Sequence, residues 1–175
     1  MTGDTPKAGP GSAGAQEVPN RVVGLLPFAG VVLFLIAEIV TIAVSGTGDL
    51  LYSTTQNAVL FLIGSSGIGN GIAHLFFGPA IARSIGWTPG PFQYEVGAAN
   101  LAIGIAGVTG GFFGPEFWLA VIIVDLVFLV LAGVGHIREI VKNHNLAVNN
   151  AGPILVLDFL MPLVALGLWL WLTLS

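Results

Sequence analysis

Apolar residues gather into five stretches along the chain, each close to the ~20 residues that a helix needs to cross a bilayer. The stretches are 22–44, 58–82, 94–113, 117–134 and 154–174. Segments rich in glycine, proline or asparagine separate them, at 45–56, 87–91, 114–115 and 143–153. The pattern predicts an all-α polytopic membrane helix bundle over residues 21–175, with five transmembrane helices.

The first twenty residues differ from the rest of the chain. Residues 1–20 are rich in Gly, Pro, Ala, Thr and Ser and have no apolar periodicity, which predicts a disordered tail. A signal peptide would have a short apolar segment directly after a basic region, whereas here a long polar tail precedes a run long enough to span a membrane. We therefore expect an uncleaved first helix.

The charge distribution predicts an orientation. Hydrophobic residues make up 55% of the chain and charged residues 8%, against about 25% charged in a soluble domain. All the basic residues fall on one side of the predicted bundle, and the opposite loops carry Asp49 and Glu116. The basic residues are Lys7, Arg21, Arg83, Arg138 and Lys142. Because cytoplasmic loops collect Lys and Arg, we expect a multi-pass protein of the plasma (inner cell) membrane, with its N-terminus inside and its C-terminus outside.

Several functional classes find no support in the residues. The chain has no cysteine, which excludes disulfides, thiolate metal sites, iron–sulfur clusters and covalent c-type haem. The few basic residues are scattered, so the bilayer is an expected partner and nucleic acid is not. No nucleophile elbow, phosphate-binding loop or dinucleotide fingerprint appears, so an enzyme is less expected than a non-enzyme.

Two stripes of small residues predict how the second and third helices pack. Both stripes repeat with the spacing 3, 4, 3, 4, and each includes one polar side chain. The first consists of Gly64, Gly67, Gly71, His74 and Gly78, and the second of Gly97, Asn100, Gly104, Gly107 and Gly111. Small residues let membrane helices approach closely, so the two helices are predicted to form an antiparallel pair.

Polar and ionisable residues within the predicted spans or at their ends are the candidates for function, since a charged side chain at a helix centre costs at least ~2.5 kcal/mol. The candidates for a ligand site or a proton pathway are His74, Asn100, Asp125, Asp158, Glu95, Glu38 and His136. Asp125 and His136 are 11 residues apart, about three helical turns, and share one face. Pro79 and Pro162 interrupt backbone hydrogen bonding beside such residues, as carriers do around their sites.

Structural explanations compete with these functional ones. Glu95 lies in the expected first turn of a helix, where the helix dipole favours a carboxylate. His136 lies near a helix end that water can reach. His74 could serve helix packing through an interhelical hydrogen bond.

No cofactor is predicted. Histidines and carboxylates are suitable ligands for zinc or iron, but no two of the candidates named above have the i, i+3 or i+4 spacing of helical metal motifs. A metal, or a haem between His74 and His136, is kept as an alternative.

The stretch 71–107 reads GIAHLFFGPAIARSIGWTPGPFQYEVGAANLAIGIAG. It resembles an uncharacterised family of small bacterial integral membrane proteins and, less closely, the DoxX-like group of four-helix membrane proteins. The run 135–162 extends the resemblance with His136 and Asp158. The resemblance implies a fold class, and Glu95 looks like the carboxylate that opens a helix in DoxX-like proteins. This sequence differs in having a fifth predicted span.

The leading hypothesis is an integral membrane protein that binds or moves a small ligand or protons through an intramembrane polar groove built around His74, Asn100, Asp125 and Asp158. One alternative is a structural or accessory subunit of a membrane complex, with a redox complex suggested by the DoxX resemblance. Another is a membrane enzyme. A homo-oligomer or a larger membrane complex is compatible with each of them.

Overall fold

The structure is a computed structural model that describes residues 25–175. The predicted tail at 1–20, together with Lys7 and Arg21, lies outside the described residues. Within 25–175 the regular secondary structure is helical, without strands. The helices are α1 (Leu26–Ser45), α2 (Leu50–Asn57), a π-helical segment (Ala58–Ser65), α3 (Ser66–Ile85), α4 (Phe92–Gly110), α5 (Pro115–Asn143), α6 (Val148–Ala151) and α7 (Pro153–Leu174).

Four parts of this helical chain are long and apolar enough to cross a membrane. They are Phe28–Ser45, Leu50–Ile85, Pro115–Asn143 and Val148–Leu174. Helix α4 is long enough to cross a membrane but is not apolar enough, because Gln93, Glu95 and Asn100, together with several glycines, lower its hydropathy. Four of the five predicted stretches therefore have the length and composition of membrane spans.

The second predicted stretch begins eight residues earlier in the structure than the apolar pattern indicates. The turn after α1 covers only residues 46–49, and α2 with the π-helical segment and α3 forms one run from Leu50 to Ile85. The polar residues of α2 stay helical because their side chains find partners there. The Thr55 hydroxyl, for example, donates to the carbonyl of Leu51 at 2.7 Å.

Helices α3 and α4 pack closely in antiparallel order through their glycines. A Cβ atom on Gly67 would lie 2.7 Å from the Cα of Gly104, and one on Gly107 would lie 2.6 Å from the Cα of Gly64. At the other end of the pair, a Cβ on Gly78 would lie 2.9 Å from the Cβ of Gln93. These backbones are closer than any larger residue would allow.

The remaining stripe glycines also lie along this contact. Gly71 faces Leu101, Gly97 faces Leu75 and His74, and Gly111 faces Leu60 in the π-helical segment.

The main hydrophobic core lies at one end of the bundle. It joins the π-helical segment to the start of α5 and the middle of α7, with Ile63, Trp118, Ile122 and Ala165 almost fully buried. The indole N–H of Trp118 donates to the carbonyl of Gly110 at 2.7 Å, which fixes the turn between α4 and α5. The opposite end is packed by a smaller cluster and is where polar side chains collect.

Candidate functional site

A cavity of about 930 Å³ extends from the edge of the main core, where Ile103 and Leu129 line it, to the polar end of the bundle. It lies between α3, α4, α5 and α7, and most of its wall is aliphatic. Its polar lining residues are Asn70, His74, Ser84, Trp87, Gln93, Asn100, His136, Asn149 and Asp158. The volume is at the upper end of the range of about 300–1,000 Å³ for small-molecule sites.

The first polar contact in the cavity joins α3 to α4. His74 Nδ1 lies 2.6 Å from Gln93 Oε1, so with that oxygen as the acceptor the ring N–H donates to the amide. Helix α3 bends just beyond His74, where Phe77 has non-helical angles of φ −126° and ψ 20° and Pro79 follows. Since proline cannot donate to the carbonyl four residues earlier, the bend loosens the helix beside the histidine.

The second polar contact is built around His136. Asn150 Nδ2 donates to the carbonyl of Asn145 at 2.9 Å and to that of His136 at 3.4 Å. This orientation leaves Asn150 Oδ1 to accept from His136 Nδ1, at 2.8 Å. The other ring nitrogen, Nε2, is 3.7 Å from Asp158 Oδ2, an ion-pair distance that is too long for a hydrogen bond.

The hydrogen bond from Nδ1 limits what His136 and Asp158 can do. When Nδ1 carries the proton of a neutral ring, Nε2 and the carboxylate oxygen are both acceptors and do not attract each other. A second proton, on Nε2 or on the Asp158 carboxyl group, makes the contact between them favourable. Trp87 stacks on the imidazole at a centroid distance of 5.6 Å and shields it on one side. The pair is therefore able to hold a proton or to present hydrogen-bonding atoms to a ligand.

Two polar atoms that belong to cavity-lining residues have no hydrogen-bond partner among the described residues. They are Asp158 Oδ2 and Trp87 Nε1, an acceptor and a donor, and both atoms are buried. Asp158 as a whole is only 7% exposed. Because buried polar groups nearly always have partners, these two atoms single out Asp158 and Trp87 as candidate site residues.

Asn100 lines the cavity, but its amide is already engaged. Its Nδ2 donates to the carbonyl of Val96, one turn earlier in α4, at 2.9 Å. Its side-chain oxygen is the atom left to face the cavity.

Asp125 does not line the cavity with the other candidates. It is 4% exposed and lies on the inward face of α5 that also carries His136, nearer the main core. Its Oδ2 is a third buried atom without a hydrogen-bond partner in residues 25–175.

The two glutamates lie outside the cavity as well. Glu95 is exposed in the first turn of α4. Glu38 accepts from Thr54 Oγ1 at 2.7 Å and from Asn57 Nδ2 at 2.8 Å, so it joins α1 to α2. Both positions fit structural roles.

Sequence reasoning missed Gln93, Trp87 and the asparagine pair Asn149 and Asn150 as site residues. The register of the glycine stripes is a signal for Gln93, because antiparallel pairing brings the start of α4 beside Gly78, one turn from His74. The asparagines lie in a predicted turn, and Asn149 Nδ2 donates to Ser84 Oγ at 3.1 Å. No local pattern indicates that contact, which depends on how α6 folds back onto α3.

No group of three or more histidines and carboxylates close enough to hold a metal ion occurs within residues 25–175. The cavity instead offers two imidazoles, amides, an indole and a carboxyl group, which suits hydrogen bonding to an organic ligand.

Fold and site together define an all-helical bundle with membrane-span-like helices around a partly polar cavity. A comparison with protein-family models matches residues 24–174 to the family of unknown function DUF6790. The chain belongs to that family, which agrees with the resemblance to an uncharacterised family, whereas no similarity to DoxX-like proteins is shown. No curated protein and no solved structure gives a significant match.

Proposed function

We propose that this protein is a plasma-membrane protein that binds a small organic ligand in the cavity between α3, α4, α5 and α7. The observation that carries the proposal is Asp158, a residue that lines the cavity of about 930 Å³ beside His136 and whose buried Oδ2 has no hydrogen-bond partner in the described part of the chain. In an apolar bundle, each buried polar group that lacks a partner costs about 1–3 kcal/mol. A ligand that bonds to these atoms would remove that cost.

Five spans with the C-terminus outside form part of the proposal. Helix α4 runs antiparallel to the π-helical segment and α3, with contacts from Gly64 to Gly78, so it should cross the membrane together with them. Its polar residues are tolerable there because Gln93 and Asn100 face the bundle and not its outer surface. Arg83, Arg138 and Lys142 belong to the end that carries the polar part of the cavity, and that end is assigned to the cytoplasm.

Native mass spectrometry after gentle extraction from the source membrane tests the ligand. We expect one bound small molecule per chain, and we expect its loss in Ala99→Phe, which places a ring into the cavity wall. Ala98→Phe is the matched control, because Ala98 is exposed on the same helix and does not line the cavity. A protein partner without any small ligand would favour the accessory-subunit hypothesis instead.

Proton movement is the second candidate, favoured by the ability of the neighbouring His136 and Asp158 side chains to hold an additional proton between them. In proteoliposomes, pH-driven flux should fall in Asp158→Asn. The same flux should also fall in Asp125→Asn if the path continues towards the main core. Unchanged flux in both variants would rule out this function.

A further inference from the structure

The cavity reaches the outer surface of the bundle between α4 and α5. Several aliphatic residues of α5 line the cavity and are also strongly exposed, including Val124 at 56% and Leu131 at 64%. Phe92 at the start of α4 is also exposed and lines the cavity. A wall shared by the cavity and the outer surface is an opening to the side, towards the hydrocarbon of the bilayer.

The packing explains why the gap is there. Helices α4 and α5 meet near their connecting turn, where a Cβ on Gly110 would lie 3.5 Å from Trp118. Farther along, α4 follows α3, whereas α5 follows α7 through the contact of Gly133 with Phe159. Among the described residues, none lies within 4 Å of a Cβ placed on Gly135, so this part of α5 has open space beside it.

The cavity is divided into an apolar part and a polar part. Towards the middle of the bundle its lining is aliphatic, with Ala102, Ile103 and Val127. At the end near the α3–α4 connection its lining includes Asp158 and Trp87, whose Oδ2 and Nε1 atoms are buried just behind the wall and have no hydrogen-bond partner within residues 25–175. None of the described lining residues is Lys or Arg, so a phosphate or carboxylate head would find neither of the permanently charged side chains that usually bind it.

We propose that the cavity takes up, sideways from the bilayer, a neutral single-chain amphiphile with a hydroxyl-bearing head. The inference rests on the proposed ligand-binding function and names the ligand class for the same site. A hydroxyl of the head donates to Asp158 Oδ2, an oxygen of the head accepts from Trp87 Nε1, and the chain lies between α4 and α5.

The test uses 1-monooleoylglycerol as the probe, titrated into delipidated full-length protein and followed by native mass spectrometry. Saturable binding of one molecule per chain is expected. Glycerol, which has the head without the chain, should not bind, and oleoyl lysophosphatidic acid, with an anionic head, should bind at least about tenfold more weakly. Equal binding of the neutral and the anionic probe would overturn the inference.

Variants locate the bound probe. Gly135→Phe places a ring in the cavity and should abolish binding, whereas Gly167→Phe should leave it unchanged, because Gly167 also faces open space but does not line the cavity. Trp87→Phe keeps an aromatic ring against His136 and removes the N–H, and should weaken binding by about three- to tenfold, the effect of one hydrogen bond. Elution volume and helical content check that each variant is folded.

The outcomes separate this inference from the proposed function. If the source membrane yields a bound water-soluble molecule that Gly135→Phe expels, the cavity is a ligand site but not for an amphiphile, and the inference fails alone. If Gly135→Phe is folded and binds the probe as the wild type does, the inference also fails. If neither a native ligand nor any probe binds, both proposals fail.

Discussion

Replacing Gly67 by alanine tests the close contact between α3 and α4. A new Cβ at this position would lie 2.7 Å from the Cα of Gly104 and 2.9 Å from the carbonyl oxygen of Asn100. Both atoms belong to the backbone of α4, so the added methyl group can be accommodated only if the helices separate. The glycines on either side of the contact would then lose their packing as well.

The magnitude follows from two opposing effects. Glycine to alanine in the middle of a helix by itself stabilises by about 1 kcal/mol, whereas overpacking a close contact costs about 1–3 kcal/mol. Because the contact is with backbone, we place the cost at the upper end, and we expect Gly67→Ala to lower the free energy of unfolding by about 1–2 kcal/mol. Gly167→Ala has the same helix-propensity gain and no clash, since a Cβ there would meet nothing within 4 Å.

The assay is reversible unfolding in mixed micelles, followed by circular dichroism, for the wild type and the two variants side by side. The difference between Gly167→Ala and Gly67→Ala isolates the contact, because helix propensity cancels. We expect the two variants to differ in their free energy of unfolding by about 2–3 kcal/mol. If Gly67→Ala is as stable as Gly167→Ala, the helices are not in close contact at this point and the antiparallel register is wrong.

Three further predictions concern the polar contacts and the topology. Asn150→Ala removes three hydrogen bonds around His136 and should lower the free energy of unfolding by about 2–3 kcal/mol. Asn149→Ala removes one hydrogen bond and should lower it by about 1 kcal/mol. Equal losses would contradict the hydrogen bonds described for Asn150. Thr54→Val leaves Glu38 with one side-chain partner fewer and should lower the thermal midpoint of unfolding. An unchanged midpoint would show that other contacts hold α1 in place. Ser175→Cys, the single cysteine in a chain that has none, should react with an impermeant thiol reagent on intact cells, and labelling only after lysis would reverse the topology.

The structure gives different explanations for the candidate residues that the sequence singled out by composition. Four of them, His74, Asn100, His136 and Asp158, line one cavity although they come from four helices. Their positions relative to the apolar stretches are readable from the chain, because His74, Asn100 and Asp158 interrupt such stretches and His136 follows one. The sequence does not show that these residues share one cavity, because that depends on how far α4 and α5 diverge.

Glu38 shows what a local pattern cannot supply. In the sequence it is a carboxylate deep in an apolar helix with no neighbour of opposite charge. In the structure Thr54 and Asn57 satisfy it, and both lie in a segment whose polar residues suggest a loop. Only the pairing of α1 with α2 makes that segment helical and gives the carboxylate its donors.

The sequence alone determined the helical class, the positions of the apolar stretches and the antiparallel glycine contact, since each depends on spacing within one or two neighbouring helices. The tertiary structure decided which polar residues meet, that Asp125 and Asp158 lie in different surroundings, and that a gap opens between α4 and α5. Those features depend on contacts between helices far apart in the chain. Packing partners such as Gly133 with Phe159 determine them, and no local periodicity encodes them.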